Sequence, residues 1–322
     1  MRVLLTGGGT AGHINPALAI AEIVSRNAPG SEILFVGVRG GKEEELVPRA
    51  GYRLCYVRSM GIRRSLSPAN IRAVWLALTS PYSRQTTRIL EDFRPDIVIG
   101  TGGYACWPIT AAAARRGIPT ALHESNARPG LAVRRLQKKV DRIWTNFDVT
   151  AEQLRVRRGV VRVGNPLRGE FGAVSPGAAR RELELPAGAR CILSFGGSLG
   201  AEPLNAAVLD MMARLAAEHP DWVFLHASGQ RDAAHTRAEF SARGLEARPG
   251  CRLTEYIYDM PRCMAAADLV ISRAGAMTLS ELARMGKACI LVPSPHVVDD
   301  HQYHNARALA DAGAAKIGRA HV

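Results

Sequence analysis

Residues 1–13 read MRVLLTGGGTAGH, a short apolar run that ends in a glycine-rich turn. Two similar turns follow the apolar runs 97–99 and 192–195: GTGGY at residues 100–104 and GGSLG at residues 196–200. Glycine lets backbone N–H groups approach a ligand closely, and a helix start behind the turn favours bound phosphate. Three such turns, spread over both halves, predict two nucleotide-binding-type α/β domains that share one cleft.

Strand and helix patterns alternate along the chain, which predicts parallel sheets covered by helices on both faces. A helix is predicted at Glu202–His219, and the break at Gly164-Asn165-Pro166 predicts two domains, 1–163 and 164–322. The predicted strands are Arg2–Thr6, Glu32–Val36, Tyr52–Val57, Ile97–Ile99, Thr120–His123, Arg142–Thr145, Val160–Val163, Cys191–Phe195, Trp222–Ala227, Leu269–Ser272 and Ala288–Val292. A further strand is expected after Lys316, but the chain ends there in IGRAHV, which we interpret as a reading frame cut short.

The composition, 47% hydrophobic and 22% charged over 322 residues, is typical of a soluble globular protein. No apolar run is long enough to cross a bilayer, and the N-terminus shows no signal-peptide pattern. Six scattered cysteines form no C-x-x-C pair, which disfavours a zinc or redox site and fits buried thiols in a cytosolic protein.

The net charge of +13 is unevenly distributed. Residues 1–164 hold 25 Lys and Arg against 12 Asp and Glu, whereas residues 165–322 hold 17 of each. A basic first half indicates a polyanionic partner: nucleic acid, anionic lipid or a phosphorylated substrate. Nucleic acid is disfavoured, because the chain has no module that combines aromatic and basic residues.

The first turn matches the dinucleotide fingerprint G-x-G-x-x-G at Gly7, Gly9 and Gly12. An NAD site would also need an acidic residue at the end of the second strand, and none stands there, although Arg39 could hold the 2′-phosphate of NADP. His13 closes the turn. A titratable imidazole there suits a catalytic base or a sugar contact, with a purely structural histidine as the alternative.

Three further segments carry candidate polar groups. His123-Glu124-Ser125-Asn126 follows a predicted strand and faces either the ligand crevice or a helix cap, and Arg168 is either a diphosphate clamp or a linker charge. Glu281, expected in the first turn of a helix that opens near Gly275, could accept two ribose hydroxyls or simply cap the helix. The segment 299–304, DDHQYH, predicts hydroxyl recognition or a capped helix rather than a metal site.

Residues 67–80 place Ile71, Val74, Trp75 and Leu78 at helical spacing beside several arginines. The pattern predicts either an ordinary core face or an amphipathic patch on an anionic membrane.

These motifs, in this order, resemble the MurG family. The matching segments are GGTAGH at 8–13, GGY at 102–104, HExN at 123–126, GNP at 164–166, GGSLGA at 196–201, TEYI at 254–257 and RxGAxTxSE at 273–281. The resemblance implies a GT-B fold and an inverting transfer of N-acetylglucosamine from UDP-GlcNAc to the C4 hydroxyl of lipid I, which yields lipid II for peptidoglycan. The first domain would face the acceptor and the membrane, and the second would bind UDP-GlcNAc.

The resemblance also implies roles for single residues and no metal or other cofactor. It assigns the base to His13, the donor sugar to Thr10, Ala11, Gly12, Asn126 and Gln302, the nucleotide and diphosphate to Arg168, Ser198, Ile257, Ala276, Met277, Thr278, Leu279, Ser280 and Glu281, and the acceptor and membrane to Gly102, Gly103, Tyr104, Ile71, Trp75 and Leu78. It implies a peripheral protein on the cytoplasmic face of the inner membrane, with cell-wall synthesis proteins as partners. Two departures are Ser125, where the family has Gln, and the missing C-terminal helices.

One alternative from another class is a UDP-GlcNAc 2-epimerase, which shares the architecture but needs no lipid acceptor.

Overall fold

The computed structural model describes residues 1–60, 71, 73–75, 79–156, 159–167, 169, 171–297 and 300–319, with only the backbone of Ala11. The chain divides into two compact units, Met1–Arg168 and Gly169–Val322. The predicted domain border, between residues 163 and 164, falls just before this division. Each unit is built on one parallel sheet.

Unit 1 contains a seven-stranded sheet in the order β3-β2-β1-β4-β5-β6-β7. Its strands are β1 (Arg2–Thr6), β2 (Glu32–Gly37), β3 (Arg53–Tyr56), β4 (Ile97–Gly100), β5 (Thr120–Glu124), β6 (Arg142–Thr145) and β7 (Val160–Arg162). Its helices include α1 (Ala11–Asn27), α2 (Glu43–Arg49), α3 (Arg84–Phe93), α4 (Cys106–Arg115), α5 (Leu131–Leu136) and α6 (Asp148–Gln153), with a 3-10 turn at Ser80–Tyr82.

Strand β1 shows why both faces of this sheet are covered. Successive side chains of a strand point to opposite faces, and Val3, Leu4 and Leu5 are all fully buried. Val3 and Leu5 pack with Ile14 and Ala17 of α1, whereas Leu4 packs with residues of α4 such as Ile109. A strand buried on both faces reads as a continuous apolar run, which is the pattern visible in the sequence.

Unit 2 contains a six-stranded parallel sheet in the order β10-β9-β8-β11-β12-β13. Its strands are β8 (Cys191–Phe195), β9 (Val223–Ala227), β10 (Cys251–Thr254), β11 (Leu269–Ser272), β12 (Ala288–Leu291) and β13 (Lys316–Ile317). Its helices include α7 (Pro176–Glu182), α8 (Glu202–Glu218), α9 (Ala233–Ala242), α10 (Met260–Ala266), α11 (Ala276–Met285) and α12 (His301–Asp311), with a 3-10 turn at Leu245–Ala247.

The predicted parallel α/β architecture is confirmed, with two differences in detail. Strand β10 was not predicted: it is four residues long, lies at the edge of its sheet and carries the polar Arg252 and Thr254. The strand expected after Lys316 already begins at that residue, since Lys316–Ile317 pairs with β12.

Both sheets have one position where the chain order reverses, between β1 and β4 in unit 1 and between β8 and β11 in unit 2. In open parallel sheets, ligands bind beyond the carboxyl ends of the strands at such positions. Each of the three glycine turns follows one of these four strands: β1, β4 or β8. None of the helices that the structure describes is long and apolar enough to cross a membrane.

Candidate active site

In unit 1 the first two glycine turns lie side by side. Residues 3–6 of β1 pair in parallel with the whole of β4, and both strands end at the same level, so their turns leave the same edge of the sheet. The Thr101 hydroxyl donates to the backbone carbonyl of His13 at 2.6 Å, and the Thr101 N–H donates to the carbonyl of Thr6 at 2.8 Å. These bonds hold the second turn against the start of α1.

His13 lies on α1, half-buried between the two turns. Its Nδ1 is 3.1 Å from the hydroxyl oxygen of Thr10. A methyl group built on Gly102 would lie 2.7 Å from the Cδ2 of His13 and 3.2 Å from its Nε2, and one on Gly103 would lie 3.2 Å from its Nδ1. The glycines of the second turn therefore make room for this imidazole. The structure thus brings together His13, Thr10, Gly102 and Gly103.

Sequence reasoning missed Glu43, the first residue of α2. Its side chain is only 1% exposed. Its carboxylate accepts hydrogen bonds from the backbone N–H groups of Val38 at 3.0 Å and Gly9 at 3.2 Å. Because Gly9 is the central glycine of the fingerprint, its amide is already engaged, which disfavours a dinucleotide phosphate in this turn.

Tyr104 packs on the other side of the first turn. A methyl group on Gly9 would lie 2.7 Å from the ring of Tyr104. Burial and the nearby negative charge of Glu43 raise the pKa of the Tyr104 phenol. The Tyr104 carbonyl accepts a hydrogen bond from Ser59 at 2.7 Å. This tyrosine therefore stays neutral and acts as a wall of the turn.

The end of β5 and the residues that follow it are mostly internal. Burial lowers the pKa of His123, whose Nε2 lies 3.0 Å from the carbonyl oxygen of Gly164. Glu124, also buried, accepts hydrogen bonds from the side chain and backbone of Asn126 and from the Gly130 N–H at 2.7 Å. Only Asn126 of this motif is half-buried, while Ser125 is buried. Three of the four polar residues thus build the loop, and Asn126 alone is partly accessible.

In unit 2 the third glycine turn joins β8 to α8. Gly197 and Gly200 have φ values of +94° and +90°, which side chains rarely adopt. Ser198 stands between them, half-buried, and its carbonyl accepts from the Gln230 N–H at 3.2 Å. Ile257 lies half-buried in the loop between β10 and α10, beside the exposed Tyr256 and Tyr258, whose rings meet edge to face at 4.9 Å.

The neighbouring strand β11 leads into α11, which opens at Ala276 after Gly275. In the first turn, the N–H groups of Met277 and Thr278 have no carbonyl to accept them within the helix. Ala276 and Leu279 are buried, and the Leu279 N–H donates to the Gly275 carbonyl, so Leu279 is a core residue. The hydroxyl of the half-buried Ser280 donates to the Ala276 carbonyl at 3.2 Å.

Glu281 corrects a prediction. It is the sixth residue of α11 and not a first-turn residue, because the helix already begins at Ala276, five residues earlier. Burial alone raises the pKa of its carboxyl from 4.5 to about 7. Among the residues that the structure describes, no cation or hydrogen-bond donor pairs with this half-buried carboxylate. An acid without a partner, in a poorly solvated place, suits hydroxyl groups brought by a ligand.

Gln302 lies in the first turn of α12, near the end of β12. Its amide oxygen accepts a hydrogen bond from the Ser294 N–H at 2.9 Å, which fixes the amide plane. Arg273 braces the same region, since its guanidinium donates to the carbonyls of Val292 and Pro293 at 3.1 and 3.0 Å. Burial lowers the pKa of Arg273.

Some predicted residues lie elsewhere. Ile71 and Trp75 are exposed, at 67% and 61%, whereas Ala73 between them is buried. Arg168, Leu78 and Asp299 fall outside the described residues. Within the described ranges, no group of three His, Cys, Asp or Glu side chains could hold a metal ion.

Comparison with known proteins accounts for both units. The N-terminal domain of glycosyltransferase family 28 matches residues 3–145, and the C-terminal domain of this family matches residues 191–321. These ranges contain all three glycine turns together with Glu43 and Glu281.

Curated relatives match almost the whole chain. The UDP-N-acetylglucosamine--N-acetylmuramyl-(pentapeptide) pyrophosphoryl-undecaprenol N-acetylglucosamine transferase of Acetivibrio thermocellus is 40% identical over 98% of this chain and 84% of its own length. The enzyme of the same name from Desulforudis audaxviator is 41% identical over 98% of this chain and 85% of its own length.

Solved structures give the fold class. MurG of Acinetobacter baumannii superposes with a TM-score of 0.74 at 30% identity, covering 99% of this chain and 86% of that one. A UDP-GlcNAc 2-epimerase of Neisseria meningitidis superposes with a TM-score of 0.64 at 17% identity, and the superposition covers 100% of this chain and 88% of that one. At this identity the likeness shows a shared fold only. With a GT-B fold and family 28 domains over both units, the chain belongs to the MurG family of UDP-GlcNAc-dependent N-acetylglucosaminyltransferases.

Proposed function

We propose that this protein transfers N-acetylglucosamine from UDP-GlcNAc to the C4 hydroxyl of lipid I, forming lipid II for peptidoglycan. The observation that carries the proposal is the match, at 36–41% identity and 98–99% of the chain, to relatives named for this reaction. That match spans the turns of both units rather than a shared nucleotide-binding domain only.

Unit 2 supplies the groups for the nucleotide. The first-turn amides of α11 and the turn around Ser198 suit the diphosphate, since N–H groups and a helix start both favour negative charge. Glu281 can accept both ribose hydroxyls with its two carboxylate oxygens. The backbone at Ile257 takes the uracil, and Arg168 is a second proposed partner of the diphosphate. As UDP departs it gains negative charge, which these donors absorb without a metal ion.

Unit 1 supplies the base. Donor sugar is α-linked and the product β-linked, so one displacement inverts the anomeric carbon, and the acceptor hydroxyl must lose a proton. In the tautomer whose Nδ1–H donates to Thr10, the Nε2 lone pair of His13 can accept that proton. Gly102, which has no side chain, leaves the Cδ2–Nε2 side of the ring free of the methyl group that any other residue at this position would place there. Thr10, Ala11, Gly12, Asn126 and Gln302 are the proposed contacts of the donor sugar.

We place the protein at the cytoplasmic face of the membrane, where its lipid acceptor is held. Support comes from the excess of basic residues in the first half and from the exposed side chains of Ile71 and Trp75. Gly103 and Tyr104 are proposed on the acceptor side, with other cell-wall synthesis proteins as partners.

A direct test incubates the protein with UDP-GlcNAc and a short-chain analogue of lipid I, and follows UDP release with and without the analogue. We expect release only with the acceptor, together with a product that is one N-acetylhexosamine heavier. The Glu281→Ala variant, which keeps the proposed base His13 but lacks the proposed ribose contact, serves as a control. Conversion of UDP-GlcNAc without acceptor to UDP-N-acetylmannosamine, or with water to UDP and N-acetylmannosamine, would instead identify an epimerase.

A further inference from the structure

Glu43 is a buried acid that the mechanism above does not use. Placing a carboxylate inside a protein is costly unless hydrogen bonds or a cation compensate it. In the part of the chain that the structure describes, the Glu43 carboxylate forms no ion pair. It accepts one hydrogen bond from the Val38 N–H and one from the Gly9 N–H. A charge kept at this cost, with both bonds to loops beside the site, indicates a function there.

The surroundings of Glu43 are made of glycine. A methyl group on Gly8 would lie 2.9 Å from its carboxyl carbon, and methyl groups on Gly37 and Gly41 would lie 2.5 Å from its Cγ and carboxyl carbon. Gly8, which is distant in sequence, and the nearby Gly37 and Gly41 thus leave room for one carboxylate. The absence of side chains at these positions lets the acid reach the backbone of the first turn.

A short chain of contacts leads from Glu43 to the base. Glu43 holds the Gly9 amide, and Gly9 precedes Thr10, whose hydroxyl is 3.1 Å from the Nδ1 of His13. Across the turn, the ring of Tyr104 packs against Gly9. The position of the Gly7–Gly9 segment therefore decides how Thr10 presents itself to the imidazole.

The charge of Glu43 also determines what the turn can bind. A phosphate there would meet a buried negative charge and would find the Gly9 amide already engaged. A neutral, hydroxyl-bearing group meets neither obstacle. The turn is thereby suited to a sugar, although its sequence matches a phosphate-binding fingerprint.

We infer that Glu43 is a positioning residue for the transfer reaction: it fixes the first glycine turn as a sugar-binding turn and aligns Thr10 and His13 for proton removal. This inference rests on the proposed function, in which His13 is the base. Glu43 touches neither substrate nor reacting atoms, so its effect must pass through the turn.

The test uses Glu43→Gln and Glu43→Asp, each in the wild-type and the His13→Ala backgrounds. Gln keeps the shape but faces one amide donor with its own NH₂ group, and Asp keeps the charge but retracts it. Glu45→Gln, an exposed acid on the same helix, is the matched control. We measure kcat and KM for UDP-GlcNAc with the lipid I analogue, thermal melts, and hydrogen exchange of peptides covering residues 7–13.

We expect Glu43→Gln to lower kcat by roughly tenfold to a hundredfold, as sub-ångström misplacement of a catalytic group does, with a smaller rise in KM for UDP-GlcNAc, since the same turn is a proposed contact of the donor sugar. Glu43→Asp should lie between this variant and wild type. In the His13→Ala background neither change should lower kcat more than about twofold, since the base that Glu43 aligns is gone. Exchange should rise in residues 7–13, and Glu45→Gln should match wild type.

Four results would overturn the inference. Transfer that survives Glu43→Gln, or that falls equally in both backgrounds, would show that Glu43 does not act through His13. Loss of the cooperative melt in both Glu43 variants would make it a folding residue. Absence of acceptor-dependent transfer by the wild-type protein would instead remove the proposed function itself, and this role with it.

Discussion

At the scale of single residues, Glu281 combines two demands that oppose each other. A carboxyl with a pKa raised by burial is destabilised when it ionises, so it costs stability as the pH rises from 4.5 through about 7. Ribose hydroxyls, in contrast, bind best to the ionised form. Above neutral pH the ionised Glu281 should therefore lower the stability of the free protein and raise its affinity for the ribose-bearing ligand.

For Glu281 we predict opposite effects on binding and on folding. Glu281→Ala should weaken UDP-GlcNAc binding by about 1.5–3 kcal/mol at pH 8, because two hydroxyls lose a charged acceptor. In the wild type, affinity should rise with pH up to about 7 and then level off, and the variant should lose this dependence. Glu281→Gln should raise the free energy of unfolding above pH 7 by about 1–2 kcal/mol, a value reduced for solvent screening, and leave it unchanged near pH 4.

Calorimetric titration of UDP-GlcNAc from pH 5.5 to 8.5, with denaturant unfolding at the same pH values, measures both effects. UDP-GlcNAc is preferable to UDP, whose terminal phosphate itself titrates near neutral pH. The exposed Asp221, also in unit 2, provides the control Asp221→Asn. Unchanged affinity in Glu281→Ala would remove this residue from the ribose site.

For His13 we predict a loss of chemistry without a loss of nucleotide binding. His13→Ala should reduce kcat by about 10²–10⁴-fold, the usual contribution of a general base. The affinity for UDP, which we assign to unit 2, should stay within about twofold of wild type. Steady-state transfer assays and UDP titration separate the two effects. Turnover within a few-fold of wild type would mean that His13 is a binding residue and that the base lies elsewhere.

The candidate role of His13 at the first glycine turn could be inferred from the sequence, but the role of Glu43 could not. His13 stands inside a glycine turn, so its chemistry is visible locally. Glu43 opens the run Glu43-Glu44-Glu45, which is typical of a solvated first helical turn. Its burial depends on the nearby Gly37 and Gly41 together with Gly8, and no local pattern connects Gly8 with Glu43.

At the scale of elements, the glycine turns were predictable because each combines an apolar strand with residues that only a tight turn requires. Strand β10 was not, since an edge strand of four residues with alternating polar side chains has no such pattern. The start of α11 near Gly275 was predicted, but Glu281 was wrongly counted in the first turn. Gly275 ends the irregular segment, so the helix already includes Ala276, and Glu281 falls in the second turn.

For the second glycine turn, residues 100–104, we predict that Gly102→Ala acts mainly on catalysis. Gly102 has a φ of +102°, and an added methyl group would meet the imidazole of His13. Backbone strain alone should cost roughly 1 kcal/mol of stability. Displacement of the ring should lower kcat by about tenfold or more, since small misplacements of a reacting group are costly.

The control for this prediction is Gly117→Ala. Gly117 also has a positive φ, of +69°, but a methyl group there would meet no atom within 4 Å. Thermal melts should show a similar loss of stability in both variants, and transfer assays should show a loss of turnover in Gly102→Ala only. Equal turnover in the two would mean that the second turn does not position His13.

At the scale of the whole molecule, composition already separates the two halves. The first half carries the entire net charge of +13, and the second half is balanced, a difference that requires no knowledge of the fold. Parallel sheets also follow from the alternation of elements, whereas their strand order and switch points come from the structure. The exposure of particular apolar side chains does not, because helical spacing fits a core face as well as a surface patch. The structure decides between these for Ile71 and Trp75, which are exposed.

For the whole chain we therefore predict reversible binding to anionic vesicles. Attraction between the basic half and the lipid should weaken as salt rises, since screening acts over about 8 Å at physiological ionic strength. The double variant Ile71→Ser and Trp75→Ala should bind vesicles several-fold more weakly, because exposed apolar side chains contribute by entering the interface. Its melting temperature and UDP affinity should stay unchanged, since these side chains leave no cavity when shortened.

Val161→Ser, which shortens another exposed apolar side chain of unit 1, is the control. Sedimentation with phosphatidylglycerol vesicles at low and high salt measures the effect, and wild-type protein that stays in the supernatant at low salt would show that the charge of the first half serves something other than a membrane.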